Sequence, residues 1–267
     1  MARSFSAFPA ELSRVALSFK LRPVETFWIN TAGVLWGAGT GLLIPRAAYR
    51  LSVPPHEPWR ATCPVGHPFA GAGNGWLGRA RCADGGSYGP STPVLATVAA
   101  VVCTVLAATT GAHPELVVWL LLAPIGVLLA TVDVTVHRLP DVVTLPLAVI
   151  TPTLLGVAAL LPGANGNWRT AMLGSLTLGV ACLALFLINP TGFGFGDVKL
   201  ALTLGAVTGW YGWDILIVST FAGFLLLALY GLGLIVAGRV GRETAHPLGP
   251  FLLTGACFGV LLNSLTR

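Results

Sequence analysis

The chain has 267 residues, of which 55% are hydrophobic and only 9% charged, and its mean hydropathy is +0.80. A soluble globular chain carries roughly 25% charged residues, so an ordinary water-soluble fold is excluded and the composition belongs to a bilayer. Fifteen Lys and Arg against ten Asp and Glu leave a formal net charge of +5. These few basic residues lie between apolar runs, a pattern that points to membrane topology and not to nucleic acid.

Residues 1–27 read as a polar N-terminal tail. The first apolar run, Trp28–Ile44, is read as a retained anchor, because no small-residue cleavage site follows it. Gly33, Gly37 and Gly41 recur every fourth residue within it, the spacing that lets helices pack closely. Residues 45–92 form the longest soluble segment, rich in Gly and Pro and holding Cys63 and Cys82. Residues 93–267 then carry seven further runs: Pro93–Thr110, Leu116–Val132, Val143–Leu161, Ala171–Asn189, Val198–Trp213, Ile215–Ala237 and Leu248–Leu265. A span needs about 20 mostly apolar residues, and period-two alternation is absent, so barrel strands are excluded. The expected fold is an all-α, polytopic membrane protein with about eight transmembrane helices. The sixth run is short and opens with Asp197 and Lys199. Cys103, Cys182 and Cys257 lie inside apolar runs, so the five cysteines do not imply a disulfide framework.

Basic residues in the loops set the orientation. Eight spans put Arg46, Arg50, Arg60, Arg79, Arg81, Arg138, Lys199, Arg239 and Arg242 on one side, and Arg169 and Arg267 on the other. The first side is expected to be cytoplasmic; Arg3, Arg14, Lys20 and Arg22 in the tail weigh against that assignment.

Most of the acidic residues fall in the tail, the loops or the turns, including Glu57, Asp84, Glu115, Asp214 and Glu243. Asp133, Asp141 and Asp197 remain. Two spans separate Asp133 from Asp197, so both belong to one membrane face. Asp133 is expected to terminate its apolar run, and Asp197 opens the next span but two after Gly192-Phe193-Gly194-Phe195-Gly196. Glycines there allow the backbone to leave the helix and approach another chain closely. Taking carboxylates out of water at a membrane boundary is costly, and two of them a few ångströms apart share a proton. The ionised member then deprotonates a water while the protonated one polarises a peptide carbonyl. The plainer reading is a pair of acids that cap or solvate helix ends.

The sequence around these acids resembles a known family. Asp133-Val-Thr-Val-His-Arg-Leu-Pro140-Asp141 and Gly194-Phe-Gly196-Asp197-Val-Lys199-Leu are similar to the two signature regions of the type IV prepilin peptidases, GxGD-type membrane aspartyl proteases. Gly39–Leu51 and His246-Pro-Leu-Gly-Pro-Phe251 resemble further family segments. The resemblance implies that Asp133 and Asp197 are the catalytic pair, with Gly194 and Gly196 shaping the active loop and Pro140 and Asp141 as structural motif positions. Lys199 matches the motif lysine, with electrostatic tuning of Asp197 and interfacial anchoring both open as its role. It further implies prepilin or pseudopilin substrates, a bacterial cytoplasmic membrane location with the site facing the cytoplasm, and a hydrolysis that calls on no metal or organic cofactor. Neither the particular prepilin nor the oligomeric state follows from it.

The chain departs from the family in the loop. Larger members carry two Cys-x-x-Cys pairs there, resembling a zinc site. Here the stretches read Cys63-Pro-Val-Gly66-His67 and Cys82-Ala-Asp84-Gly85. Two cysteines with His67, and Asp84 as a conceivable fourth ligand, form an irregular set, so a metal-free loop is expected. The glycine-rich Gly71-Ala-Gly73-Asn-Gly75 lacks the strand–turn–helix context of a nucleotide site, and methyl transfer from S-adenosylmethionine is not assigned. His137, four residues after Asp133, reads as an interfacial residue before a proton shuttle. Two rivals remain: a small proton- or cation-coupled transporter using the same carboxylates, and a non-catalytic assembly partner with the same fold.

Overall fold

The computed structural model describes residues 8–54, 57–190, 192–238 and 247–266. Arg3, Arg239, Arg242, Glu243, His246 and Arg267 lie outside the described residues. The described chain is helical: α1 (Phe8–Gly41), α2 (Ile44–Leu51), the four-residue turn α3 (Ala72–Gly75), α4 (Thr92–Thr110), α5 (Glu115–Val136), α6 (Asp141–Ala159), α7 (Trp168–Ile188), α8 (Phe195–Gly209), α9 (Trp213–Val236) and α10 (Gly249–Leu265). Among the described residues the β pairing consists of two isolated bridges in the loop before α4.

The local signals for these helices are ordinary ones. Ser91 and Pro93 open α4, and Gly111 at φ 67° stops it. The Asn167 side chain accepts hydrogen bonds from the Arg169 and Thr170 N–H groups and caps α7. Pro124, Pro146 and Pro152 sit inside α5 and α6, as membrane helices tolerate. Large apolar side chains such as Val149, Leu187, Phe221 and Leu229 face outward. That arrangement would be costly in water and is the expected lipid face of a bundle.

The chain is a multi-pass α-helical membrane protein, but its spans are not uniform. Helices α4, α5, α6, α7 and α9 are long and apolar enough to cross a bilayer. A sixth stretch passes the same test only as a bent pair, in which Val24–Gly41 meets Ile44–Leu51 at 43°. The other two expected spans are shorter helices, α8 with 15 residues and α10 with 17. At 1.5 Å per residue, α8 is roughly 22 Å long against about 30 Å of hydrocarbon. Helix α1 begins at Phe8, so residues 8–27 are helical and run without a break into the first apolar run.

Helix α8 is short because it is enclosed by protein. Every residue from Asp197 to Trp210 is buried except Leu202, which is half-buried. Helices α6, α7, α9 and α10 pack around it. The contact with α7 is backbone to backbone: a Cβ added to Gly205 would lie 2.4 Å from the Gly174 carbonyl oxygen. Its far end inserts Trp210 among Trp119, Leu155 and Ala171, and the Trp119 indole donates to the Tyr211 hydroxyl at 2.9 Å. Glu115, fully buried at the same end, accepts from the Asn165 N–H at 3.2 Å. The near end of α8 packs on Leu139, Leu147, Leu248 and Leu252.

The four-residue glycine repeat of α1 faces α4. A Cβ on Gly37 would fall 2.4 Å from the Ala99 carbonyl oxygen, closer than such atoms approach, whereas around Gly233 in α9 there is open space. Gly37→Ala should therefore lower the thermal midpoint of the detergent-solubilised protein, by a loss of about 1–3 kcal/mol. Gly233→Ala should leave it unchanged or raise it.

Candidate active site

Asp133 lies one turn inside the C-terminal end of α5, and Asp197 in the first turn of α8. The apolar run ends at Asp133, but the helix continues for three more residues and stops at His137, which takes a left-handed φ of 50° and donates its N–H to the Asp133 carbonyl at 2.8 Å. Two helices, α6 and α7, separate the two acids along the chain, and the fold brings them together at one end of the bundle. Both are buried, at 4% and 8% exposure, and the two carboxyl groups are within Coulombic range of one another. Among the described residues neither carboxylate makes an ion pair.

Glycine backbone defines the space around both carboxyls. The Gly249 N–H, at the start of α10, donates to Asp133 Oδ2 at 2.9 Å. A Cβ on Gly249 would stand 2.8 Å from that same oxygen, so only glycine leaves room for it. Gly194 caps α8, its carbonyl accepts the Asp197 N–H at 3.0 Å, and its Cβ position lies 3.0 Å from Asp197 Oδ2. Gly196 lies against Leu139: an added Cβ would be 2.9 Å from the Leu139 Cβ and 3.4 Å from its nitrogen. Neither Gly194 nor Gly196 has a positive φ; what these positions require is the absence of a side chain. Upstream, Asn189 holds the turn, its side-chain oxygen accepting from the Gly192 N–H at 3.1 Å and its carbonyl from the Phe193 N–H at 3.0 Å.

Leu139 joins the two halves. It is buried, touches Gly196 on one side, and lies 3.6 Å from the Gly249 Cβ position on the other. Pro140 then caps α6, and Asp141 occupies its first turn, where a carboxylate is favoured. Asp141 Oδ1 is 2.6 Å from Lys199 Nζ, and that ammonium lies 4.6 Å from the Phe195 ring centre. The motif lysine thus pairs with Asp141 of α6 and ties α6 to α8. Leu139 and Gly249 lie within the stretches that resemble the family, but their roles could not be read there. One makes a contact between distant segments, and the other donates to a residue 116 positions away.

The loop residues do not assemble a metal centre. Among the described residues no group of three His, Cys, Asp or Glu side chains is placed to hold a metal ion. Gly66 and Gly85 stand where a second cysteine would complete each turn. The residues present do not fit a four-thiolate zinc site.

Comparison with known proteins agrees with this frame. The model of the type IV leader peptidase family matches residues 116–232, a stretch that contains both acids. The prepilin leader peptidase/N-methyltransferase of Aeromonas salmonicida (strain A449) is 31% identical over 232 residues, covering 82% of this chain and 75% of the relative. That of Aeromonas hydrophila is 31% identical over 233 residues, covering 82% and 76%. The chain belongs to the type IV leader peptidase family. A relative of the same name from Pectobacterium carotovorum is 29% identical over 195 residues, covering 70% of this chain and 66% of the relative. No solved structure matches the chain. Membership makes the protein a hydrolase of the prepilin peptidase class.

Because Gly249 leaves no space beside Asp133 Oδ2, Gly249→Ala should displace that carboxyl by up to an ångström. Peptide cleavage by this variant should fall on the order of 10²-fold while the protein still inserts and folds, as checked by cleavage rate and thermal midpoint together.

Proposed function

We propose that this protein is a membrane aspartic endopeptidase that removes the leader peptide of type IV prepilin-like proteins, with Asp133 and Asp197 as its catalytic pair. The observation that carries the reading is the meeting of two buried acids, contributed by α5 and α8, at one end of the bundle. A single acid at a helix end needs no explanation beyond capping. Two, enclosed together and making no ion pair among the described residues, do.

The chemistry follows from the pairing. Two carboxyls within electrostatic reach of one another and shielded from water are suited to sharing one proton. A water lodged between them loses a proton to the ionised member as it attacks the peptide carbonyl, while the other donates to the developing oxyanion. Collapse of the tetrahedral intermediate breaks the C–N bond and returns a proton to the leaving amine, which becomes the N-terminus of the mature protein, while the leader is released with the new carboxylate. Gly249 orients Asp133 through its N–H, and the Gly194–Gly196 turn orients Asp197; Leu139 and the Lys199–Asp141 pair hold α6, α8 and the end of α5 in register. Lys199 acts on position and not on the reacting atoms.

The loop segment 45–92 enters α4 at the same end as the two acids, and it carries Arg46, Arg50, Arg60, Arg79 and Arg81. An excess of basic residues marks the cytoplasmic side, so the proposed site faces the cytoplasm. Transport would call for carboxylates near the middle of the bilayer, whereas these lie one turn from a helix end and in a first turn. Methyl transfer, which the relatives' names include, is not part of the proposal.

The test is co-expression with a type IV prepilin-like substrate, followed by scoring of leader removal. Asp133→Asn and Asp197→Asn should each reduce cleavage by about 10³-fold or more while the protein still inserts. Normal cleavage by either variant sinks the paired mechanism. Asp141→Asn removes only the partner of Lys199; its carboxyl is 57% exposed, so cleavage should stay within about tenfold of wild type.

A further inference from the structure

The loop before α4 contains two turns of one form. Thr62 bridges Pro68 and Arg81 bridges Ser87, both antiparallel. In the first, the Cys63 N–H donates to the His67 carbonyl at 2.9 Å, and the Gly66 N–H returns to the Cys63 carbonyl at 2.9 Å. In the second, the Cys82 N–H donates to the Gly86 carbonyl at 2.8 Å, and the Gly85 N–H returns to the Cys82 carbonyl at 3.1 Å. Gly66 and Gly85 take φ values of 95° and 86°, which these turns require and a side chain resists.

A cysteine therefore opens each turn, and the turns face each other. Across them, His67 Nδ1 of the first turn lies 3.4 Å from Asp84 Oδ1 of the second. Cys63 is buried with Ala80 and Tyr88, and Cys82, Tyr49 and Phe69 pack against that cluster. The framework is fixed to α2: Arg46 Nη1 donates to the Ala70 carbonyl at 2.7 Å, and Arg60 Nη1 donates to the Tyr49 carbonyl at 2.7 Å while its guanidinium lies over the Tyr49 ring. Both cysteines are thiols in this structure.

We propose that Cys63 and Cys82 form a reversible dithiol–disulfide pair, a covalent clasp between the two turns. The proposal stands apart from the peptidase reading and does not depend on it. The titratable groups facing the pair are His67, Asp84 and Tyr88: His67 Nδ1 is 3.7 Å from Cys63 Sγ and 3.4 Å from Asp84 Oδ1, and Tyr88 shares the buried cluster with Cys63. Burial pushes the Cys63 thiol up, but hydrogen bonds from Cys82 and from the Val65 and His67 backbone outweigh it and bring it down to about 7. The same thiol–thiol bond, with burial, pushes Cys82 up to about 11. Cys63 is accordingly the attacking sulfur.

The oxidant is a low-molecular-weight disulfide. The Cys63 thiolate attacks one of its sulfurs, forming a mixed disulfide and expelling a thiolate. Cys82 then gives up its proton to water and attacks the Cys63 sulfur, expelling the second thiolate. Two protein thiols and one small disulfide become one protein disulfide and two small thiols, with two electrons passing to the oxidant. Cys103, Cys182 and Cys257 lie in α4, α7 and α10, away from a charged, water-soluble reagent.

The experiment treats the full chain in detergent with oxidised glutathione at pH 7, followed by alkylation and peptide mass mapping. We expect a Cys63–Cys82 linked peptide lighter by two hydrogens, reversed by dithiothreitol. Cys82→Ser should stop at a glutathione adduct on Cys63, and Cys63→Ser should react at least about tenfold more slowly. Two thiols that both remain open to alkylation, glutathione adducts that persist on the wild type, or cross-links between chains would overturn the proposal. The wild-type measurement alone decides it, whether or not either variant folds.

Discussion

Helix α8 is surrounded by protein on every side, and this enclosure governs the arrangement around it. A helix facing lipid can carry large apolar residues all round; one held between four others cannot. The Gly174–Gly205 approach lets α7 and α8 meet at their backbones, and small or medium residues fill most of α8 from Val198 to Gly209. Enclosure also allows Asp197, Lys199, Thr203 and Thr208 to occupy a helix at membrane depth, because none of them meets hydrocarbon. The carboxyl at its start then lies within electrostatic reach of Asp133, which the Gly249 amide holds on α5.

The helical architecture was legible because lipid demands long unbroken apolar runs, and such runs survive in a single sequence. The common face of Asp133 and Asp197 was legible from parity alone. The number of crossings was not: hydropathy registers apolar residues whether they face lipid or protein, so α8 and α10 read as spans like the rest although they are shorter. The pairing of Lys199 with Asp141 was also hidden, since Lys199 has Asp197 two positions before it and the partner it takes lies on another helix. The Gly249 amide and Leu139 escaped for a different reason. A backbone donor has no residue-type signature, and a leucine among leucines carries no mark of what it separates. In the loop, two half-motifs with irregular spacing gave no sign that their sulfurs face one another; backbone turns of matching geometry decide that.

The loop and α2 handle charge in an unusual way. Arg46, Arg50 and Arg60 donate to the carbonyls of Ala70, Asn74 and Tyr49, and Arg50 lies over Trp76 at 3.8 Å. Carbonyl dipoles and ring faces hold a guanidinium without cancelling its charge. The segment therefore keeps its positive field on the face where Asp133 and Asp197 lie. That field favours the approach of anionic lipid headgroups and works against a second layer of basic residues nearby.

The shortness of α8 has a mechanical consequence. At about 22 Å, the helix is some 8 Å shorter than a bilayer's oily layer, and under the proposed reading Asp197, in its first turn, is the point that a substrate has to reach. On that reading a peptide bond cleaved there has to be presented in extended backbone, at about 3.3 Å per residue, because a coiled helix keeps its amides engaged. Stiff, strongly helix-forming segments would then be poorer substrates than sequences that uncoil easily.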